Sequence, residues 1–413
     1  MFLKNKLVLL LIVMGLVLSA CGQEEQSSAN GESSNEENAS QEEEKAQDSE
    51  ESTEDEEESK EESKEESEEA NDQESDSEFV NAYRDGKNEL AKAAEGEEVD
   101  YEKVIDLYNN NLQSLVANRD GKIDQQISTA LEAGKNGEMD GQIVKQIFDK
   151  LTQKVFYLTI KHEFQEISEG WGDKELAEEE IAEAKEFYEV LKETVQKRDA
   201  AYETNMVDQI DAGFNEIEKA VADDDKLAFE LGKQVVDKTM MKAFYLASGA
   251  EPHGYAFKAA KEAKEDAEHA KVEQAEGWAF YQSVSNYVSE YAPEDAAIIE
   301  ENFNLESDVK ELDAEAVNHA FVRGLSKVAL HEYEESEEYW GEDKSAITAL
   351  EGALFIDMIA SDIERIQGEE TYTTLNEQAQ TYLDAVKADE KDKAMEVLSE
   401  IEGTLQSIIE EAK

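Results

Sequence analysis

The chain has 413 residues and a formal net charge of −64 at pH 7, with 103 acidic residues against 39 basic ones. This charge repels nucleic acid and anionic lipid headgroups, so both are excluded as ligands. The single cysteine excludes internal disulfides and multi-thiolate metal sites. Cations and basic partners remain compatible with the composition, and so does a surface adapted only for solubility in a salty environment.

Residues 1–20 have the three parts of an export signal. Lys4 and Lys6 form a short basic stretch, residues 7–18 are almost entirely apolar, and residues 19–20 are small. The apolar run is shorter than the roughly 20 residues that a membrane-spanning helix needs. The sequence therefore predicts a leader that is removed during export.

Residues 18–21, Leu-Ser-Ala-Cys, resemble the lipobox of bacterial lipoproteins. The resemblance implies that a diacylglyceryl group is joined to the sulfur of Cys21 and that the chain is cut just before it. The alternative is a simple secretory signal with a cysteine at the cut by chance. Attached acyl chains anchor a protein firmly. We therefore predict lipid attachment at Cys21, at the outer face of the cytoplasmic membrane.

Residues 21–79 are rich in Glu and Ser and nearly devoid of apolar side chains. Residues 22–80 contain 26 acidic and 3 basic positions. Such a segment cannot bury enough apolar surface to offset its ordering entropy, and its like charges repel. We expect a disordered acidic tether. Loose calcium chelation or binding of a basic partner is the alternative role for it.

Residues 80–413 are predicted to form an all-α domain. Apolar residues recur at helical spacing in residues 101–115, 143–158 and 317–328. Gly and Asp residues mark the expected helix ends, at 120–121, 134–141, 170–172, 223–225, 341 and 368. About eight to eleven helices are expected, as repeated hairpins in one or two bundles or an elongated array.

Internal repeats support this organisation. Lys154-Val-Phe-Tyr-Leu recurs as Lys242-Ala-Phe-Tyr-Leu, and His162-Glu-Phe recurs as His331-Glu-Tyr. A helical-hairpin unit of this kind buries its apolar face against its neighbours. The approximate units are 80–170, 171–260, 261–345 and 346–413.

Histidines, glutamates and tryptophans recur at a fixed spacing that suggests metal binding. Each of the three tryptophans follows a histidine by nine residues, with glutamates at two fixed places between them. The sets are His162, Glu166, Glu169 and Trp171; His269, Glu273, Glu276 and Trp278; His331, Glu335, Glu338 and Trp340. On a helix the histidine and both glutamates lie on one face. An imidazole and two carboxylates can ligate a divalent or ferric ion, especially with a second helix.

The first and third sets are the candidate metal ligands: His162, Glu166, Glu169, His331, Glu335 and Glu338. His162 and His331 continue apolar stripes, so these sets begin at the inward face, where unpaired carboxylates are costly. His269 has polar neighbours, and we interpret its set as surface decoration. One alternative is a histidine at the core edge with solvated glutamates, and another is haem with a lone histidine as axial ligand.

Common catalytic motifs are absent from the sequence. It contains no Gly-rich phosphate loop, no Gly-x-Ser-x-Gly, no His-Glu-x-x-His and no cysteine beyond the lipobox. Carboxylate pairs are too frequent to single out a general acid and base. We expect a protein that is not an enzyme.

A lipid-anchored helical domain with repeated His/Glu helices is similar, in general character, to imelysin-like iron-uptake lipoproteins. It is also similar to the helical extracytoplasmic domains that accompany iron permeases. The imelysin-like Gly-x-His-x-x-Glu is missing here, so no family residues are assigned. The resemblance implies capture of a metal ion or metal complex, with iron favoured, for a permease. The alternative is a non-catalytic structural or interaction module that presents an acidic face to a basic surface protein or the wall.

Overall fold

The computed structural model describes residues 77–413, which contain helices and no strand. Cys21, the predicted leader and nearly all of the predicted tether lie outside the described residues. Two further helical segments are a π-helical turn, Tyr108–Leu112, and a 3-10 turn, Val309–Glu311. The helices in chain order are α1 (Glu78–Ala91), α2 (Tyr101–Leu107), α3 (Gln113–Arg119), α4 (Gly121–Lys135), α5 (Gly141–Glu169), α6 (Lys174–Tyr202), α7 (Met206–Asp223), α8 (Lys226–Ser248), α9 (Tyr255–Glu262), α10 (Ala267–Tyr281), α11 (Ser285–Tyr291), α12 (Pro293–Asn302), α13 (Ala314–Glu338), α14 (Asp343–Met358), α15 (Ala360–Gln367), α16 (Glu369–Lys387) and α17 (Lys391–Glu411).

The all-α prediction is confirmed, and the helix ends fall at the expected Gly and Asp residues. Asp140, Asp173 and Asp225 are N-caps whose side chains accept backbone N–H groups in the first turns of α5, α6 and α8. Gly172 and Gly341 have φ values of 100° and 86°, a region that favours glycine. The chain therefore leaves α5 and α13 by turns that its sequence specifies locally.

Helices α5 and α8 form the centre of the described domain. Both are buried along most of their length. Helix α5 packs against α1, α4, α6 and α10, and α8 packs against α7, α10 and α14. Polar side chains on these two helices are consequently buried and need partners within the protein.

Three buried tyrosines connect these helices to their neighbours. Each tyrosine hydroxyl donates a hydrogen bond to an aspartate on another helix: Tyr83 to Asp149, Tyr157 to Asp237, and Tyr245 to Asp362. Burial, followed by the charge of the aspartate, raises the pKa of each tyrosine well above its ordinary value. The tyrosines therefore remain neutral donors. We call these three pairs the tyrosine–aspartate series.

The helices outnumber the eight to eleven expected because several are short, such as α9, α11 and α15. Residues 77–413 form one compact unit. Of the approximate repeat boundaries, 170 follows α5 directly, whereas 260 and 345 lie within α9 and α14. Within residues 77–413, every helix is too short or too polar to span a membrane.

Candidate functional site

The first predicted ligand set lies at the surface end of α5. His162 and Glu166 have side chains 39% and 45% exposed, and His162 Nε2 is 3.5 Å from Glu166 Oε1. Glu169 accepts a hydrogen bond from Gln165 at 2.7 Å. The expected inward start of this set is not seen, because the histidine is on the solvated side of the helix.

The third set, on α13, is engaged with neighbouring side chains. The His331 ring stacks on Tyr291, with centroids 4.2 Å apart. Glu335 accepts a hydrogen bond from Lys344 at 3.2 Å, and Glu338 is exposed. Glu335 therefore already has a cation beside it, and the aromatic contact orients the imidazole.

The buried acidic residue in each repeat is the one that follows the histidine. Glu163 and Glu332 are only 5% and 6% exposed. Successive residues on a helix are rotated by about 100°, so a half-exposed histidine is compatible with an inward neighbour. The shared His-Glu-Phe and His-Glu-Tyr are the sequence signal from which both glutamates could have been found.

Glu163 belongs to a group of three carboxylates between α5 and α6. Its side-chain oxygen and those of Glu180 and Glu183 all lie within 4.8 Å of one another. We call this group the carboxylate cluster. Arg119, at the end of α3, places Nη2 3.2 Å from Glu163 Oε1 and donates from Nε to Thr159 at 3.3 Å. A guanidinium thus lies on one side of the carboxylate cluster.

The environment of Glu163 favours its neutral form. Burial raises the pKa of Glu163 to about 8, with further contributions from the Glu180 hydrogen bond and the charge of Glu183; Arg119 acts in the opposite direction. The pKa of Glu183 is also raised, first by burial and then by Glu180. At neutral pH the cluster therefore holds a proton, even with Arg119 adjacent.

The carboxylate cluster is the one group in the described residues where at least three His, Cys, Asp or Glu side chains could share a metal ion. None of the six predicted ligands belongs to it. His162 is adjacent to it in sequence and, with Glu166, lies on the same helix. Metal binding by the two predicted sets stays a prediction.

A second buried polar group surrounds Lys238 on α8. Its ammonium is 2.6 Å from Asp237, 2.9 Å from Glu351 and 2.9 Å from the Tyr287 hydroxyl. The pKa of the nearby Glu332 is raised to about 8. Burial is the main cause and the charge of Glu351 the second, whereas Lys238 lowers the pKa. Lys238 has three close acceptors of its own, so this group holds α8, α11 and α14 together rather than offering an open site.

No family model, curated protein or solved structure matches this chain. The assignment of a function therefore depends on the residues and their geometry alone.

Proposed function

We propose that this protein is a lipid-anchored, non-catalytic binding protein that captures a metal cation outside the cytoplasmic membrane and delivers it to a permease. The observation that supports it is the carboxylate cluster, in which buried Glu163 lies beside Glu180 and Glu183. Burying the Glu163 carboxylate beside two other carboxylates is costly unless a cation or a proton compensates its charge. A metal cation would displace the proton that Glu163 holds at neutral pH.

The oxygen-only ligands of the carboxylate cluster select the class of cation. Carboxylates favour hard ions, whereas zinc and copper prefer imidazole or sulfur. Ferric iron is hard and fits the iron-uptake role that the resemblance implies. His162 and Glu166 lie one turn or less from Glu163 along α5, where a second ion or an entering ion could be held.

The predicted lipid anchor would place metal capture at the membrane surface, beside a permease. Lipid on Cys21 would hold the domain at the membrane, and residues 22–76 would separate the domain from the bilayer. The acidic surface would attract cations by its long-range field. Exposed carboxylates give only diffuse attraction, so the carboxylate cluster is the proposed stoichiometric site.

The test is a metal titration of residues 22–413 in high salt, which screens diffuse attraction. Fe(III) as a soluble chelate, Mn(II) and Zn(II) are compared on the wild type and on Glu163→Gln/Glu180→Gln. We expect one hard cation per chain, bound about tenfold or more weakly by the double variant. Glu175→Gln/Glu178→Gln, at exposed positions of α6, is the matched control and should bind as the wild type does. Uptake indifferent to Glu163→Gln/Glu180→Gln would contradict the cluster as the site.

The histidine sets are tested separately. His162→Ala/His331→Ala should leave most of the affinity intact if the carboxylate cluster is the site. Loss of stoichiometric binding in that variant would instead support the His/Glu sets predicted from the sequence.

A structural or interaction module is the second candidate, and one contact favours it. The Arg119 guanidinium already gives Glu163 a counter-charge. In this second reading the ion pair has a structural role, joining α3 to α5, and no metal is needed. In that case the wild type binds no stoichiometric metal, and a basic surface protein is the partner to seek.

A further inference from the structure

The guanidinium of Arg119 reaches the carboxylate cluster from a third helix. Arg119 is the last residue of α3. Its Nη2 lies 3.2 Å from Glu163 Oε1, and its Nε donates to the Thr159 hydroxyl, one turn earlier on α5, at 3.3 Å. Burial is the main cause that raises the pKa of both Glu163 and Glu183, and the charge of Arg119 opposes it at both carboxyls. The guanidinium is thus a resident cation for at least two of the three carboxylates.

The repeat-related Glu332 on α13 also lies near a basic side chain, but that one is fixed in place. Lys238 is 1% exposed and has three acceptors at 2.6 to 2.9 Å, so it cannot leave without losing all of them. The Arg119 side chain is 18% exposed and sits at a helix end. Its bonds to Glu163 and Thr159 can be exchanged for bonds to water. Arg119 is therefore a displaceable counter-charge, whereas Lys238 is a permanent one.

A metal cation at the carboxylate cluster and the Arg119 guanidinium would repel one another. The site is partly buried, so this repulsion is screened less than it would be in water. At the same distance a divalent ion feels twice the repulsion that the proton on Glu163 feels. Removing the guanidinium should therefore strengthen metal binding, even though it also raises the proton affinity of Glu163.

We propose that Arg119 is the release residue of the carboxylate cluster: an entering metal cation displaces its guanidinium toward solvent, and the returning guanidinium helps to expel the ion. This inference rests on the proposed metal-binding function and adds its regulation. A protein that hands an ion to a permease must let the ion go, and affinity is adjusted mainly through the dissociation rate. Arg119 lowers the affinity and compensates buried Glu163 when the site holds no metal.

The experiment is titration of residues 22–413 with Mn(II) in high salt, followed by rapid mixing with excess EDTA to time the release. Arg119→Gln should bind Mn(II) about tenfold or more tightly than the wild type and release it correspondingly more slowly. Arg119→Lys keeps the charge, so its affinity should fall nearer to the wild type than that of Arg119→Gln does. Lys122→Gln, at a nearby exposed position of α4, is the matched control. It removes the same charge and should bind as the wild type does.

Thr159→Val tests the same exchange without changing the charge of the site. It removes the hydroxyl that accepts from Arg119 Nε, so the guanidinium is displaced more easily and Mn(II) should bind severalfold more tightly. Urea unfolding of each variant shows whether the fold is retained. If Arg119→Gln does not fold, Thr159→Val decides the question by itself.

Equal or weaker Mn(II) binding by Arg119→Gln would overturn the proposal, because Arg119 would then orient Glu163 for the ion or serve only the fold. Equal or weaker binding by Thr159→Val would count against it in the same way. Absence of stoichiometric Mn(II) binding in the wild type and in every variant would contradict the proposed metal site itself, and this inference with it.

Discussion

Glu163 and Glu332 show how one position on a helix separates a surface residue from a buried one. The spacing of apolar residues pointed to His162 and His331 because both follow apolar stripes. In the structure, α5 is buried almost all round in its middle, so the stripe does not define a single inward face. The sequence therefore did not determine which of two successive residues, the histidine or the glutamate after it, faces the core. The shared His-Glu-aromatic sequence was visible, but only packing shows which of its residues is buried.

The buried Glu332 should make stability fall as pH rises. Its pKa is about 8 in the folded protein against an ordinary value of 4.5. The folded state therefore binds more protons than the unfolded state between these values, and stability is lost across that window as pH increases. Glu332→Gln mimics the protonated form and should flatten this slope, as measured by urea unfolding at a series of pH values.

Glu334→Gln is the matched control for this prediction, since Glu334 is exposed on the same helix. It should retain the wild-type slope. A Glu332→Gln profile that parallels the wild type from mildly acidic to mildly alkaline pH would show that Glu332 is ionised in the folded protein.

At the scale of helices, α5 and α8 carry the same polar pattern at the same positions. Asp149-Lys150 precedes Tyr157 as Asp237-Lys238 precedes Tyr245. The sequence analysis found the Lys-x-Phe-Tyr-Leu part of this repeat but not the Asp-Lys before it. Extending the comparison by five residues would have found the aspartates, though not their partners, because each tyrosine bonds to an aspartate on another helix.

The tyrosine–aspartate series should contribute to stability through its hydroxyl groups. Tyr157→Phe leaves the buried Asp237 without this donor and should cost about 1–3 kcal/mol in the free energy of unfolding. Tyr188→Phe is the control, because the buried Tyr188 hydroxyl has no hydrogen-bond partner. That change should be near neutral in urea unfolding. Equal losses in the two variants would mean that the hydroxyl to Asp237 adds nothing specific.

Helix ends were predictable where Gly or Asp marks them, as at Asp140, Gly172 and Gly368. The short helices α9, α11 and α15 were not predicted individually, since seven or eight residues span too few turns to show a period.

For the whole molecule, the acidic surface is the dominant electrostatic feature. Residues 81–413 have a net charge of −43, and self-repulsion of this kind destabilises the compact state. The thermal midpoint of residues 22–413 should therefore rise as sodium chloride screens the charges. A differential scanning series with sucrose, which leaves the charges unscreened, separates screening from solvent exclusion. A midpoint independent of salt would show that the surface charges are balanced locally.

The all-α class, the internal repetition and the absence of recognisable catalytic motifs are all properties of composition and spacing. The candidate site is not, because Glu163 on α5 meets Glu180 and Glu183 on α6 only after the hairpin folds. The carboxylate cluster is therefore the metal site that we propose, and metal binding by the two histidine sets stays a prediction.

Proton release during metal uptake tests the proposed metal site at the carboxylate cluster most directly. Glu163 holds a proton at neutral pH, since its pKa is about 8. Mn(II) is the ion for this test, because carboxylates bind it and it stays hydrated, without hydrolysis, near pH 7. Its binding to residues 22–413 in weakly buffered solution should release about one proton per ion near pH 7, and far less well above pH 8. Glu163→Gln should abolish this release. Metal uptake without proton release near pH 7, or with the same release in Glu163→Gln, would contradict capture at the carboxylate cluster.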